Sequence, residues 1–121
     1  MQYIFSNKYK SNVILERTFR FSIGIVKFTE KLEKTRKNVL TRQILKAGTS
    51  IGANAKEAQN AESSADFIHK MKIALKEADE TEYWLFLCQA LENYPNCSDL
   101  LKELNQIMKI LNKIISSRKR K

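Results

Sequence analysis

The predicted fold is decided by residues 50–87, which read SIGANAKEAQNAESSADFIHKMKIALKEADETEYWLFL. They predict the end of one helix, a short turn and most of a second helix. In the second helix, side chains recur at steps of three and four residues, the spacing of a helix face packed on a core: Phe67, Met71, Ala74, Ala78, Thr81, Leu85 and Cys88. Apolar side chains also occupy its other sides, and a helix that is apolar nearly all round is a buried one. We therefore expect this helix at the centre of the protein, surrounded by other helices or other chains.

Carboxylates interrupt the same helix, where Glu77 and Glu80 lie on one line with Ile73 and Trp84. Burying a carboxylate is costly unless cations or hydrogen-bond donors meet it. In the preceding helix, a line of polar side chains runs beside the core stripe, and a solvated edge is the alternative interpretation of that line. The sequence thus predicts a structural polar network made of Gln43, Asn54, Glu57, Glu77 and Glu80.

Composition limits the class of protein. The chain has 121 residues, enough for one domain spanning 1–121, and only three Gly and one Pro, which favours helices. No apolar run approaches the roughly 18 residues that cross a membrane, and the N-terminus lacks the pattern of a signal peptide. We therefore expect a cytoplasmic protein. Cys88 and Cys97 lack metal-ligand spacing, so free thiols are predicted.

Amphipathic periods separated by short turns predict an all-α fold, an antiparallel up-down-up-down four-helix bundle. The predicted helices cover residues 12–34, 38–61, 64–93 and 98–116, and a basic tail follows at 117–121. In the first and fourth helices the apolar arc takes up about half of the circumference. That is more than one core requires, so these helices could serve a core and an interface between copies at once.

Charge is unevenly spread along this chain of net charge +9. Residues 1–56 hold 12 Lys and Arg against 3 Asp and Glu, residues 57–103 hold 4 against 10, and residues 104–121 hold 6 against none. Such segregation favours a polyanionic partner or the association of unlike faces, with a merely solvated surface as the alternative. The predicted nucleic-acid-binding residues are Arg17, Arg20, Lys27, Lys31 and Lys34 on the first helix, assisted by Arg36, Lys37, Arg42, Lys46, Arg118, Lys119, Arg120 and Lys121.

An enzyme is not expected. The one metal-like pair is Asp66-x-x-His69, and His69 is the only histidine, whereas a di-iron bundle needs two Glu-x-x-His pairs and two further Glu. No nucleophile elbow or phosphate-cradling glycine loop accompanies Glu77 and Glu80. We predict no catalytic residue, no metal and no cofactor.

Several runs carry a resemblance to a known family: Asn12–Phe19, Gln43, Ser50-Ile-Gly-Ala-Asn54, Glu57-Ala58, Ser64–Phe67, Ala74–Ala78 and Glu80-Thr-Glu-Tyr-Trp-Leu85. The chain resembles the bacterial four-helix-bundle family encoded in 23S rRNA intervening sequences, over roughly residues 12–115. That family is related in fold to the accessory variability protein of diversity-generating retroelements. The resemblance implies a closed four-helix bundle, a homopentamer, and a role with RNA or a reverse transcriptase, and it implies no catalysis.

Two functions from different classes follow. In the first, basic helix faces of a homo-oligomer bind RNA or other nucleic acid without strong sequence preference. In the second, the protein is a scaffold or accessory subunit whose basic surface docks a protein partner such as a reverse transcriptase. Retention of a protein partner after nuclease treatment would distinguish the second function from the first.

Overall fold

The computed structural model describes residues 7–119, and within them four helices pack side by side. They are α1 (Val13–Lys34), α2 (Thr41–Ala58), α3 (Ser64–Ala90) and α4 (Ser98–Lys119). Helix α2 packs on α1 and α3, and α4 packs on α3 and α1, whereas across these described residues neither diagonal pair is in contact. The helices thus close in chain order around one core. The prediction of an all-α four-helix bundle is confirmed.

The turn between α1 and α2 is formed by the end of α1. Arg36 adopts a left-handed conformation with φ 61°, and the Lys37 N–H donates to the Leu32 carbonyl over 2.7 Å. This is the hydrogen bond of a Schellman motif, which closes a helix and redirects the chain. Two further turn residues follow, so α2 begins at Thr41 rather than near residue 38, and Leu40 caps it without a side-chain hydrogen bond.

Side chains cap two of the other helix starts. The Asn12 carboxamide oxygen accepts from the Leu15 N–H over 3.2 Å, and the Ser63 hydroxyl accepts from the Asp66 N–H over 3.0 Å. Each satisfies a backbone donor that the first turn of a helix leaves without an intrahelical partner. The remaining ends differ from the expected ones: α2 ends at Ala58 and α3 at Ala90, both short of the prediction, while α4 runs on to Lys119.

Each helix buries one stripe in the common core. The fully buried large side chains are Leu15, Ile25, Leu32, Ile44, Ile51, Met71, Leu85, Leu104, Ile107 and Leu111, with Thr18 and Thr81 among them. The two threonine hydroxyls are satisfied inside their own helices, since each donates over 2.7 Å to the carbonyl four residues earlier. The two hydroxyls therefore lie in the core without a hydrogen-bond partner on another described helix.

Helix α3 is not buried all round, contrary to the prediction. Its core stripe is buried, but Tyr83 is 60% exposed and Phe86 54% exposed, and Leu91 is exposed as well. The physical reason is that α3 touches only α2 and α4 among the described helices, so its opposite face points to solvent. The apolar residues of this face predicted burial, but among the described helices none packs on it.

Gly48 and Gly52 are four residues apart in the sequence, a spacing that predicts a close approach by Ala74 and Ala78 of α3. In the structure they approach α1 instead, so this prediction is wrong. A Cβ atom added at Gly48 would lie 2.7 Å from Ile25 Cγ1, and one at Gly52 would lie 3.2 Å from Thr18 Oγ1. Ala47, one position earlier, instead lines a groove shared with α3. A step of one residue turns a helix position by about 100°, which is enough to change the neighbour.

Both thiols, of Cys88 and Cys97, are free and buried, as predicted. Cys97 donates through Sγ to the Leu85 carbonyl over 3.2 Å, and this contact ties the turn before α4 to α3. Burial raises the pKa of Cys88 to about 11, and the neighbouring Cys97 adds to the effect. In the described part of the chain, no helix combines the length and the apolar character needed to span a membrane.

Candidate nucleic-acid interface

We refer to the predicted basic residues of α1 as the basic stripe, and three lysines form its exposed C-terminal part. Lys27, Lys31 and Lys34 are all exposed, and among residues 7–119 none of them takes part in an ion pair. They lie within the last two turns of α1, on the side away from its buried stripe. Their charges are thus available to a ligand that approaches from solvent.

The two arginines at the start of the stripe are already neutralised within the protein. Arg17 Nη1 lies 3.4 Å from Glu103 Oε2 of α4, and Arg20 Nε lies 3.2 Å from Glu16 Oε1 one turn earlier. The sequence shows Glu16 beside the stripe but not Glu103, because the second carboxylate comes from a helix far along the chain. The predicted five-residue stripe therefore has two distinct parts.

Lys27 and Lys31 also line a groove of about 400 Å³ between α1 and the start of α4. Its other wall includes Asn96, Ser98 and Asp99. The first turn of a helix carries partial positive charge on its backbone N–H groups, which favours anions. Asp99 lies in the same turn and opposes that attraction, so the two lysines supply the net positive charge of the groove.

The assisting basic residues are dispersed over the bundle. Arg36 is exposed in the turn after α1, and the Lys37 ammonium lies 5.5 Å from the centre of the Tyr94 ring. Arg42 and Lys46 are exposed on α2. They line a groove of about 370 Å³ together with Gln43, Glu77 and Glu80, and these carboxylates offset their charge. This second groove has mixed charge and is a weaker candidate for binding phosphates.

The basic tail is only partly visible. Arg118 stacks over the Phe67 ring at 4.0 Å, and Lys119 is exposed, while Arg120 and Lys121 lie outside the described residues. Lys119 meets a lysine that the sequence did not single out. The pKa of Lys72 is lowered, first by a hydrogen bond with Lys119 and then by the repulsion between the two ammonium groups. Only the packing of α3 on α4 brings these two residues together.

The structure brings only part of the predicted polar network together: Gln43, Glu77 and Glu80 line one groove, whereas Asn54 and Glu57 do not line it. Asn54 Nδ2 donates to the Ser50 carbonyl of its own helix over 2.8 Å, and Glu57 lies 3.8 Å from the Lys70 ammonium. The pKa of Glu77 is raised, chiefly by burial and then by the like charge of Glu80, while Lys46 and Ser50 act in the opposite direction. Pairing of Glu77 and Glu80 with cations therefore stays a prediction.

Asp66 of the metal-like pair Asp66 and His69 makes hydrogen bonds at the start of α3. The Asp66 carboxylate accepts from the Glu62 N–H over 3.2 Å, and its own N–H donates to Ser63. His69 is exposed. In the part of the chain that the structure describes, no group of three or more His, Cys, Asp or Glu residues is placed to hold a metal ion.

The family of the chain follows from a direct match. The model of the family described as 23S rRNA-intervening sequence protein matches residues 10–113. The chain belongs to this family. The chain is also 42% identical to a protein of unknown function from the S23 ribosomal protein family of Bacteroides thetaiotaomicron, whose crystal structure gives a TM-score of 0.81. That likeness covers 84% of this chain and 97% of the other. No match is found among curated proteins.

The match confirms the family that the motifs of α2 and α3 predicted. The matched residues include all of α1, α2 and α3 and most of α4. The lysine stripe and both lysine-lined grooves thus lie inside the shared bundle, whereas Arg118 and Lys119 lie beyond residue 113.

Proposed function

We propose that this protein is a non-enzymatic cytoplasmic homo-oligomer that binds nucleic acid, RNA in preference to DNA, without strong sequence preference. The supporting observation is the exposed set Lys27, Lys31 and Lys34, which has no carboxylate partner in the described chain. Contacts between cationic side chains and phosphates position a protein on nucleic acid but carry no sequence information. A stripe of lysines therefore favours binding that ignores sequence.

Assembly would strengthen such a modest site. Lys27 and Lys31 are one helical turn apart, about 6 Å along the axis, so one copy meets only a few phosphates. Identical stripes carried by several copies bind one polyanion together, which raises the affinity without any new contact. We propose a homopentamer: exposed apolar side chains on α1, α2 and α3 support association, and the number five rests on the family resemblance.

Fluorescence anisotropy with labelled single-stranded RNAs of equal length and unrelated sequence tests this proposal. Counterion release makes log affinity fall with log salt by about 0.7 per phosphate contacted on a single strand, and by about 0.9 on a duplex. The double variant Lys27→Glu and Lys31→Glu should weaken binding to all sequences alike and make the salt dependence shallower.

The matched control is Lys109→Glu with Lys113→Glu, two exposed lysines at the same spacing on α4. It changes the net charge equally, so a similar loss in both variants would show that net charge, not the α1 stripe, drives binding. Absence of binding at low salt in the wild type would refute the nucleic-acid function. Retention of a protein partner after nuclease treatment would then favour the scaffold function, with a reverse transcriptase as the candidate partner.

A further inference from the structure

The outer face of α3 changes character along its length. From Glu77 to Glu92 the chain holds five acidic residues and no Lys or Arg, although the protein as a whole is strongly basic. Within this segment Tyr83, Phe86 and Leu91 are exposed. We refer to Tyr83 and Phe86, with the carboxylates of Asp79 and Glu82 one helical turn before them, as the acidic–aromatic patch.

The Tyr83 ring of this patch has an aromatic neighbour. Tyr83 packs edge-on against Trp84 with ring centres 5.4 Å apart, and the Trp84 indole N–H donates to Glu80 Oε1 over 3.4 Å. Rigid tyrosine and phenylalanine side chains at the centre of a patch are enriched in protein interfaces. The surrounding carboxylates disfavour nucleic acid as the partner and favour a protein surface that carries positive charge.

A second exposed apolar surface lies between α1 and α2. It is a groove of about 330 Å³ lined mainly by small side chains, namely Thr18, Phe19, Ser22, Thr49, Gly52, Ala53 and Lys56. The Ser22 hydroxyl donates to the Thr18 carbonyl over 3.0 Å, and that of Thr49 to the Leu45 carbonyl over 2.7 Å. Because these hydroxyls are satisfied within their own helices, the groove can receive apolar groups. We refer to it as the small-residue groove.

The charges of the two surfaces are opposite. Lys56 lines the small-residue groove, and no acidic side chain is among its described lining residues, whereas Asp79 and Glu82 belong to the patch. Copies of a protein with net charge +9 repel one another, and only contacts that place unlike patches together relieve that repulsion. A second copy of this chain therefore fits the groove better than a neutral partner does.

We propose that the acidic–aromatic patch of one copy docks into the small-residue groove of a second copy, with Tyr83 and Phe86 entering between α1 and α2. The two surfaces are unlike and lie on different helices of the bundle, so the contact is head-to-tail and repeats from copy to copy until a ring closes. This assignment rests on the homo-oligomer in the proposed function and names the surfaces that build it. The groove of Lys27 and Lys31 lies between α1 and α4 and stays open to nucleic acid.

Two variants at exposed positions test the two surfaces separately. The patch variant combines Tyr83→Lys with Phe86→Lys, and the groove variant is Ala53→Glu. In sedimentation at micromolar concentration the wild type should be an oligomer, and each variant alone should sediment as the 14.1 kDa monomer. An equimolar mixture should form a dimer of twice that mass, because each pair retains one intact patch facing one intact groove.

The mixture distinguishes this contact from a self-complementary one. If the patch met another patch, as in a two-fold dimer, mixing the variants would restore nothing and the head-to-tail assignment would be overturned. The matched control is Asn105→Lys with Gln106→Lys, which adds the same charge at exposed positions of α4 and should keep the wild-type mass. Circular dichroism of each variant confirms that it is folded.

The remaining outcomes separate this inference from the proposed function. If both variants keep the wild-type mass, the docking surfaces are wrong while the oligomer stands. If the wild type itself is a monomer, the inference and the oligomeric part of the function both fail. Nucleic-acid binding is still decided independently by the anisotropy titration.

Discussion

Replacing Gly48 by alanine tests how closely α1 and α2 approach. The new Cβ would lie 2.7 Å from Ile25 Cγ1 and 2.9 Å from both Cδ1 and Cγ2, whereas carbon atoms in contact prefer about 3.5–4.0 Å. Ile25 is fully buried and β-branched, so it has no room to move away. Overpacking typically costs about 1–3 kcal/mol, and alanine returns about 1 kcal/mol of helix propensity. We expect a net destabilisation of up to about 2 kcal/mol.

The other two glycines provide matched comparisons. A Cβ at Gly24 would meet only Leu100 Cδ2 at 3.1 Å, the end of a half-buried and flexible side chain. Gly24→Ala should therefore stabilise the protein by up to about 1 kcal/mol. At Gly52 the added atom would lie 3.2–3.4 Å from Thr18, including its backbone carbon. We expect Gly52→Ala to fall between the other two substitutions.

Thermal unfolding followed by circular dichroism, at one fixed protein concentration, measures this order. A difference of 1 kcal/mol corresponds to a shift of a few degrees for a domain of this size. Ile25→Val removes one of the three crowded atoms and costs about 0.5–1.5 kcal/mol alone. In the Gly48→Ala background it should cost less, because it relieves the crowding. Strict additivity, or a Gly48→Ala variant as stable as Gly24→Ala, would refute the packing argument.

Two further predictions concern ionisable groups. Glu77→Gln should raise the unfolding midpoint near neutral pH, because the raised pKa of Glu77 in the folded chain means that its ionised form costs stability. That cost is absent below pH 4.5, the ordinary carboxyl pKa, and it appears as the pH rises through the raised pKa of Glu77 in the folded protein. A stabilisation by Glu77→Gln that persisted in strong acid would contradict the argument. For the thiols, a pKa raised from 9.0 to about 11 leaves Cys88 about 100-fold less thiolate than an exposed cysteine. Mass spectrometry should accordingly show slow alkylation of Cys88 and Cys97 in the native protein and fast alkylation after unfolding, and equal rates would show that the thiols are accessible.

The bundle could be predicted because its core is encoded locally. Phe21, Ile25, Phe28 and Leu32 recur with the period of a helix, and all four are buried on one side of α1. The stripe predicted for α3 is buried in the same way, except for the half-buried Phe67. The end of α1 at Lys34 was predicted, but the start of α2 and the ends of α2, α3 and α4 were not. The start of α2 depends on how the turn at the left-handed Arg36 closes and not on periodicity.

Contacts between helices could not be read from periodicity. Gly48 was assigned to the wrong neighbouring helix, because the size of a side chain does not indicate which helix its position faces. The pairing of Arg17 with Glu103 and the meeting of Lys72 with Lys119 both join residues distant in the sequence. The exposure of Tyr83 was not predicted either, because the sequence does not distinguish a buried aromatic side chain of a helix from one on its exposed face.

The closed order of helix contacts has a consequence for how the chain folds. Among the described helices, every contact joins consecutive segments except the one between α1 and α4. Contacts between neighbouring segments require only short loops to close, and folds dominated by them form fast. The α1–α4 seam, with Arg17 and Glu103 across it, must wait until the three intervening turns have brought the first and last helices together. Assembly of the hairpins and closure of the bundle are therefore separable events, and mutations along that seam should act mainly on how fast the folded protein opens.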